Sequence, residues 1–326
     1  MAKGSEIGGS GNRFFLNDQF SGNANNVFSY GDAGDRIYVG DWDGNGTDTI
    51  AIRRGNKFFV RNSNSSGPAD FVFSYGDPGD EILAGDWDGN GTDTLAVRRG
   101  NTFFIKNSVS SGFADSVISY GDAGDTVLVG DWDGNRTDTL AVRRGNGFFV
   151  KNSISSGYAD RVFSYGDAGD TILVGDWDGN RADTLAVRRG NTYFLKNSLS
   201  GGYSDTVFGY GEATDTVLVG DWNGNGTATI GVRREAPSFT YSGYGDSVIN
   251  ISKPGGINAS ALASISYSGG GYFSIWTLDA RGQANDLLVS AFGSYSGTVI
   301  FDNWDWMAKS TSLEIHASGP WTITIR

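Results

Sequence analysis

The segment GDWDGN, or a near copy of it, returns at a fixed interval, and that interval restricts the fold more than any other feature of the chain. Its first Asp stands at Asp41, Asp86, Asp131, Asp176 and Asp221, in steps of 45 residues. The Tyr of a Tyr-Gly pair keeps the same spacing at Tyr30, Tyr75, Tyr120, Tyr165 and Tyr210. A period of this length marks units that cannot bury their apolar faces alone and must stack on neighbours. One period predicts four strands, at 125–132, 139–145, 147–153 and 160–166, separated by the turn-rich DGNRTD and SISSGYA. In VLVGDW, Val127 and Val129 point one way while Leu128 and Trp132 point the other. Such a strand needs cover on both faces, which radially packed four-stranded propeller blades provide.

The ends of the array are complementary. The last unit stops after two strands, 215–222 and 229–235, and the chain begins with the missing two: GNRFFLND (11–18) matches GNKFFVRN (55–62), and NVFSYGD (26–32) matches FVFSYGD (71–77). An open solenoid would need polar caps. The expectation is an all-β chain with a five-bladed β-propeller at 11–236, closed by strands from both ends of the array and preceded by a tail, 1–10. The repeat ends after REAPSF. Residues 237–326 predict about seven short alternating strands and a β-sandwich, jelly-roll-like domain.

Composition narrows the function classes. Fifty Gly against five Pro and two Met, with 13% aromatic residues, suit short strands and tight turns. The net charge of −12 argues against a nucleic-acid partner. With no cysteine, disulfides, thiolate metal sites and cysteine nucleophiles are excluded. No run approaches the roughly 18 apolar residues of a membrane span. The N-terminal MAKGSEIGGSGN lacks the apolar core of a secretory signal. The expectation is an extracellular or virion-surface protein, its leader removed or never present.

The acidic loop itself has two readings. In DWDGNGTD, Asp41, Asp43, Asn45 and Asp48 present oxygens at the short spacing calcium takes, as do Asp86, Asp88, Asn90 and Asp93. The unit GDWDGNGTDTLAV resembles the FG-GAP or VCBS-type propeller repeats of bacterial surface proteins, related to the integrin calcium loops. The family pattern, Asp-x-Asp-x-Asp-Gly-x-x-Asp, falls on Asp41, Asp43, Asn45 and Gly46, so the resemblance implies calcium as a structural cofactor. Here, however, the last acid is one position early, and the flexible Gly becomes Arg136 and Arg181 in two copies. The fifth copy has Asn223 and Ala228 in place of acids. The other reading is a hairpin held by Asx turns, with the Arg pairs (Arg53–Arg54 and its copies) clamping the loop carboxylates. Calcium is expected chiefly at the Asp41 and Asp86 copies, if anywhere.

Comparing the copies also locates candidate ligand contacts. The third-to-fourth strand loop carries Asn23, Pro68, Phe113, Tyr158 and Tyr203 at one equivalent position. Exposed rings there would stack on sugars; packed against the next blade they would be core. The repeated Trp42, Trp87, Trp132, Trp177 and Trp222 read as blade packing. In the second domain, Trp304 and Trp306 stand in FDNWDWMAKS as a further carbohydrate platform or as one core and one rim ring. The single histidine, His316, has no partner motif, and no nucleophile elbow, phosphate loop or paired-His metal motif is present. The function expected is a non-enzymatic lectin or adhesin recognising cell-surface glycan. The alternatives are a phage virion component contacting other virion or surface proteins, and the accessory binding region of a secreted hydrolase.

Overall fold

The computed structural model describes residues 4–235, 237–303 and 308–326. Its chain divides into two compact units that meet at 235/236. The first holds β1 (Arg13–Leu16) and β2 (Asn26–Ser29), followed by strands that repeat with the 45-residue period. These are β3 (Arg36–Gly40), β4 (Thr49–Arg54), β5 (Lys57–Val60) and β6 (Phe71–Ser74); β7 (Glu81–Gly85), β8 (Thr94–Arg99), β9 (Thr102–Ile105) and β10 (Ser116–Ser119); β11 (Thr126–Gly130), β12 (Thr139–Arg144), β13 (Gly147–Val150) and β14 (Arg161–Ser164); β15 (Thr171–Gly175), β16 (Thr184–Arg189), β17 (Thr192–Leu195) and β18 (Thr206–Gly209); and finally β19 (Thr216–Gly220) and β20 (Thr229–Arg234).

Each full period forms one four-stranded antiparallel sheet, the first to fourth sheets in chain order. The fifth is composite, in the order β19-β20-β1-β2. Its seam pairs β20 with β1, Arg234 opposite Arg13 and Gly231 opposite Leu16. The unit is thus all-β and β-propeller-like. The first strand of each sheet is buried along almost its whole length, as a strand apolar on both faces requires. These first strands neighbour one another as β3–β7–β11–β15–β19, with β19 also beside β3.

Apolar clusters join each sheet to its neighbour. Trp132, Phe148 and Val150 of the third sheet share a core with Ile172, Val174 and Leu185 of the fourth, and equivalent clusters join the other neighbours. The repeated tryptophans lie inside these clusters, 3–8% exposed. Three polar contacts follow the same seams. The acid of GTD reaches the preceding sheet: Asp41 N–H donates to Asp93 Oδ2 (2.8 Å), Asp86 N–H to Asp138 Oδ2 (3.0 Å), Asp131 N–H to Asp183 Oδ2 (2.9 Å) and Asp221 N–H to Asp48 Oδ2 (2.8 Å). A backbone bond returns each time, as from Asp93 N–H to Asp41 O at 2.7 Å. The tyrosine of Tyr-Gly donates to a carbonyl of the next sheet, Tyr75 to Phe104 O and Tyr210 to Phe15 O. The first arginine of each pair donates to carbonyls of the turn leading into the next sheet, as Arg53 does to Asp77 O and Asp80 O.

That last contact corrects one expectation. The arginine pairs do not clamp the DWDGNGTD carboxylates, because they sit at the opposite end of their strand. From Thr49 to Arg54 the chain advances about 17 Å at strand rise. The second arginine instead grips the Gly-Asp-x-Gly-Asp turn ahead of its own sheet: Arg144 reaches Asp122 and Asp125, each at 2.7 Å. Residues 4–10, expected as part of the tail 1–10, are also integrated: Ile7 is 4% exposed and bridges to Ile37, while Ser5 bridges to Leu83.

The second unit contains β21 (Phe239–Tyr244), β22 (Ser247–Asn250), β23 (Ala261–Tyr267), β24 (Tyr272–Leu278), β25 (Ala284–Phe292), β26 (Tyr295–Phe301), β27 (Ser312–His316) and β28 (Pro320–Ile325). Two sheets, β21-β28-β23-β26 and β22-β27-β24-β25, enclose one core that includes Ile265, Phe273, Phe301, Leu313 and Ile323. This nesting is a jelly-roll order. The strand the sequence pattern did not assign is β21, FTYSGY. Gly243 is needed there because a Cβ would lie 2.2 Å from the Trp321 ring.

The fourth-to-fifth seam lacks one clamp, since Ala228 stands where the other copies have Asp and keeps only the backbone bond to Asp176 O (2.7 Å). Replacing Ala228 by Asp should therefore add a bond from Asp176 N–H and raise stability by about 1–2 kcal/mol, read as a higher urea midpoint at unchanged slope. An unchanged or lower midpoint would contradict the clamp.

Candidate functional site

The acidic loops were the first candidate, and the structure shows what their oxygens do. Asp41 Oδ1 accepts from Gly44 N–H (2.9 Å) and Asn45 N–H (3.1 Å), and Oδ2 from Gly46 N–H (2.7 Å). Asp86 repeats this with Gly89, Asn90 and Gly91. Asn45 and Asn90 turn their Oδ1 atoms to the amides of Thr47 and Thr92, both at 2.8 Å. Asp43 and Asp88 are exposed. Asp48 and Asp93 accept from Asp221 and Asp41 of the adjacent sheets rather than turning into their own loops.

The eight candidate ligands are thus not gathered on one point, and amide hydrogens surround the carboxylate a cation would need first. Among the described residues no group of three or more His, Cys, Asp or Glu is arranged to hold a metal ion. The arginine copies carry the same geometry: Arg136 at φ 76° and Arg181 at φ 79° each donate N–H to the loop Asp at 2.6 Å. This donor set does not fit calcium. Saturating calcium should leave the melting temperature unchanged and give no heat of binding, whereas a concentration-dependent rise would restore the metal reading.

The second candidate set behaves differently. Phe113, Tyr158 and Tyr203 are each 95% exposed, so none of these rings packs on the neighbouring sheet. The loops that carry them are pinned from below. Lys106 and Lys151, both 7% exposed, direct Nζ to Phe113 O and Tyr158 O at 3.3 Å. Arg61 does the same for Pro68 O at 2.6 Å. Lys196 instead pairs with Asp205 at 3.4 Å. The sequence reading overlooked these cations, although a basic residue seven positions before the aromatic in three successive copies was a visible signal.

Beside Tyr158 lies a groove of about 360 Å³ at the seam between the second and third sheets. Its floor is Val142, Phe149 and Tyr120, with the Tyr120 hydroxyl bonded to Phe149 O (2.9 Å) and pushed up to about 12 by burial. One wall is Arg144, stacked 5.2 Å from the Phe149 ring and paired with Asp122. An equivalent groove of about 260 Å³, with Arg189, Phe194 and Tyr165, lies beside Tyr203. A third, of about 650 Å³, holds Asn23, Arg234, Phe15 and Tyr210. Each offers an apolar floor, fixed carbonyls and a neutralised ion pair.

Trp304 and Trp306 lie outside the described residues. His316 is exposed, 3.6 Å from Glu314. Asp302, at φ 58°, is buried against Lys253 and accepts from Ser310 N–H and Oγ–H, which is a structural pair.

No family model matches the chain, and no curated protein does either. Solved structures similar to it include that of BBS1N in complex with ARL6DN, soaked with lead, at 12% identity and TM-score 0.31, with 89% of this chain and 91% of that one covered. Another is a glycoside hydrolase, at 10% identity and TM-score 0.27, with 89% and 93% covered. Likeness at this level transfers no activity. Among the described residues no helix is long and apolar enough to cross a membrane.

The turn carboxylates set an acid limit. The Arg99, Arg144 and Arg189 bonds hold Asp80, Asp125 and Asp170 below the usual carboxylate range. Burial instead pushes Asp41, Asp86, Asp131 and Asp176 up, against the amides that hold them down. A depressed folded pKa contributes stability that is present above the unfolded value, about 3.9, and is lost as pH falls through the folded value. The raised group contributes the opposite slope, so the contrast between variants isolates the turns. Wild type should lose more urea stability than an Arg99→Met, Arg144→Met, Arg189→Met triple variant as pH falls from about 4. Equal loss would exclude the turn pairs as its source.

Proposed function

We propose that the five sheets are the blades of one closed five-bladed propeller, and that the protein is a non-enzymatic binding protein of lectin or adhesin type. Its ligand is cell-surface glycan, taken by the loops that carry Phe113, Tyr158 and Tyr203. The observation that carries this reading is the full exposure of three aromatic rings at one repeat position, two of them beside seam grooves. Large exposed rings cost stability or solubility without a partner, and two of these, Phe113 and Tyr158, stand on loops whose main chain a buried lysine fixes. A sugar ring stacks on such a face, while its hydroxyls meet the exposed Asp122 oxygens and nearby carbonyls.

Repetition supplies affinity. Each site buries little, but several on one rigid scaffold engage a dense glycan surface together, and avidity rises by orders of magnitude. The neutralised Arg–Asp walls favour uncharged sugars over anionic ones. The sequence resemblance to FG-GAP or VCBS-type repeats agrees with a surface-binding role, and an extracellular or particle-surface location follows from the same reading.

A glycan array on the whole protein tests this directly. Wild type should bind a set of neutral glycans in the presence of a chelator. The Phe113→Ala, Tyr158→Ala, Tyr203→Ala triple variant should lose about 100-fold or more in apparent affinity, with its melting temperature unchanged because the deleted rings make no core. Silence of the wild-type protein across the array, or full binding by the triple variant, rejects the reading.

A further inference from the structure

The N-terminal segment sits where a separate ligand would. β3 and β7 are first strands, so each has one edge bonded within its sheet and one edge without a sheet partner. Residues 4–7 occupy part of that free edge. Ile7 N–H donates to Ile37 O at 2.8 Å, and Ala84 N–H to Gly4 O at 2.6 Å, with antiparallel bridges at Ser5–Leu83 and Ile7–Ile37. This is strand addition, a recognised mode of peptide capture. The Ile7 side chain enters the core that also holds Ile37 and Leu218. Gly4, at φ 79°, lies so close that a Cβ would fall 2.3 Å from Ala84 O.

A second observation is independent of the backbone. At the position of Tyr38 the other four copies have Leu83, Leu128, Leu173 and Leu218, and at the position of Arg36 they have Glu or Thr. Both departures contact one group. The Tyr38 hydroxyl donates to Glu6 Oε2 at 2.9 Å, and Arg36 pairs with the same oxygen at 3.4 Å. Tyr38 is fully buried, so its hydroxyl needs an acceptor, and the segment provides it. One repeat has therefore diverged from its siblings at the two positions that read an acidic side chain.

We propose that the free edge of β3 and β7 is a binding site for extended peptides of the pattern Gly-x-Glu-Ile, which the chain's own residues 4–7 fill. The inference rests on the Gly4–Ile7 contacts and is independent of the glycan reading. The glycine meets the close approach to β7, the glutamate takes Tyr38 and Arg36, and the isoleucine fills the apolar slot beside Ile37. A peptide of this pattern supplied in trans enters once the resident segment is withdrawn.

Tyr38→Leu in the whole chain tests it with a side chain that the other four copies already carry at that position. Hydrogen exchange should show the Ala84 and Ile7 amides losing about tenfold or more of their protection, the scale of one lost hydrogen bond to a charged group, while those of the other sheets keep theirs. Unchanged protection at both amides overturns the proposal. In a chain lacking residues 1–7, fluorescence polarisation should detect saturable binding of labelled Gly-Ser-Glu-Ile-Gly, at least about tenfold weaker when Gln replaces Glu. A folded truncated chain that binds neither peptide, or both equally, also overturns it. If truncation prevents folding, the same titration on a Glu6→Ala, Ile7→Ala chain decides, since it loosens the resident segment and leaves Tyr38 and Arg36 in place, and absence of binding there overturns the proposal.

Discussion

The seam between neighbouring sheets is the constraint on which the rest of the first unit depends. A single four-stranded sheet here buries neither face by itself: its first strand is apolar on both sides, and its tryptophan and third-strand aromatics pack on the next sheet. The polar groups follow the same logic. The GTD carboxylate, the tyrosine hydroxyl and the first arginine all find partners across a seam. Each is directional where apolar contact is not, so together they set the angle and register at which one sheet meets the next. A repeat protein built this way draws its stability from nearest-neighbour interfaces, and the composite fifth sheet gives the first and last repeats a shared one.

Rigid seams also explain how the loops can differ. The same scaffold carries Asn23, Pro68, Phe113, Tyr158 and Tyr203 at one position because that residue is exposed in every copy. In three copies a cation, Arg61, Lys106 or Lys151, bonds the carbonyl of that residue, so its side chain varies without disturbing the core. The acidic loops are the reverse case. Their carboxylates are spent on local amides and on the neighbouring sheet, which is why Arg136 and Arg181 are tolerated at a left-handed position beside them: the Asp–amide bonds hold the turn whatever the side chain.

Several features were legible in advance for reasons that can be named. Period and strand pattern located the repeat strands to within a few residues, because their apolar faces alternate and their turns carry Gly, Asn and Asp. The matching half-units at 11–32 and 215–235 anticipated the pairing of β1 with β20. Other features were not legible. The GTD acid kept two readings, metal ligand or turn, because its partner, an amide 52 residues away, leaves no trace in local spacing. The arginine pairs were assigned to the wrong turn because adjacency in sequence hid that a six-residue strand separates its two ends. β21 was hidden by Gly243 and Ser242, and Gly243 is explained only by the Trp321 ring from the far end of the domain.

By itself, the sequence determined that this chain is a tandem of four-stranded all-β units with complementary ends and a second, non-repeating β domain, since periodicity and alternation are local properties. Only the tertiary structure decided which polar groups are free to act. Whether a carboxylate binds a cation or an amide, whether an aromatic is core or exposed, and whether an N-terminal segment is a tail or an added strand all depend on what the next sheet places opposite it. Those neighbours are tens of residues away or at the other end of the repeat array, and their positions follow from packing rather than from spacing.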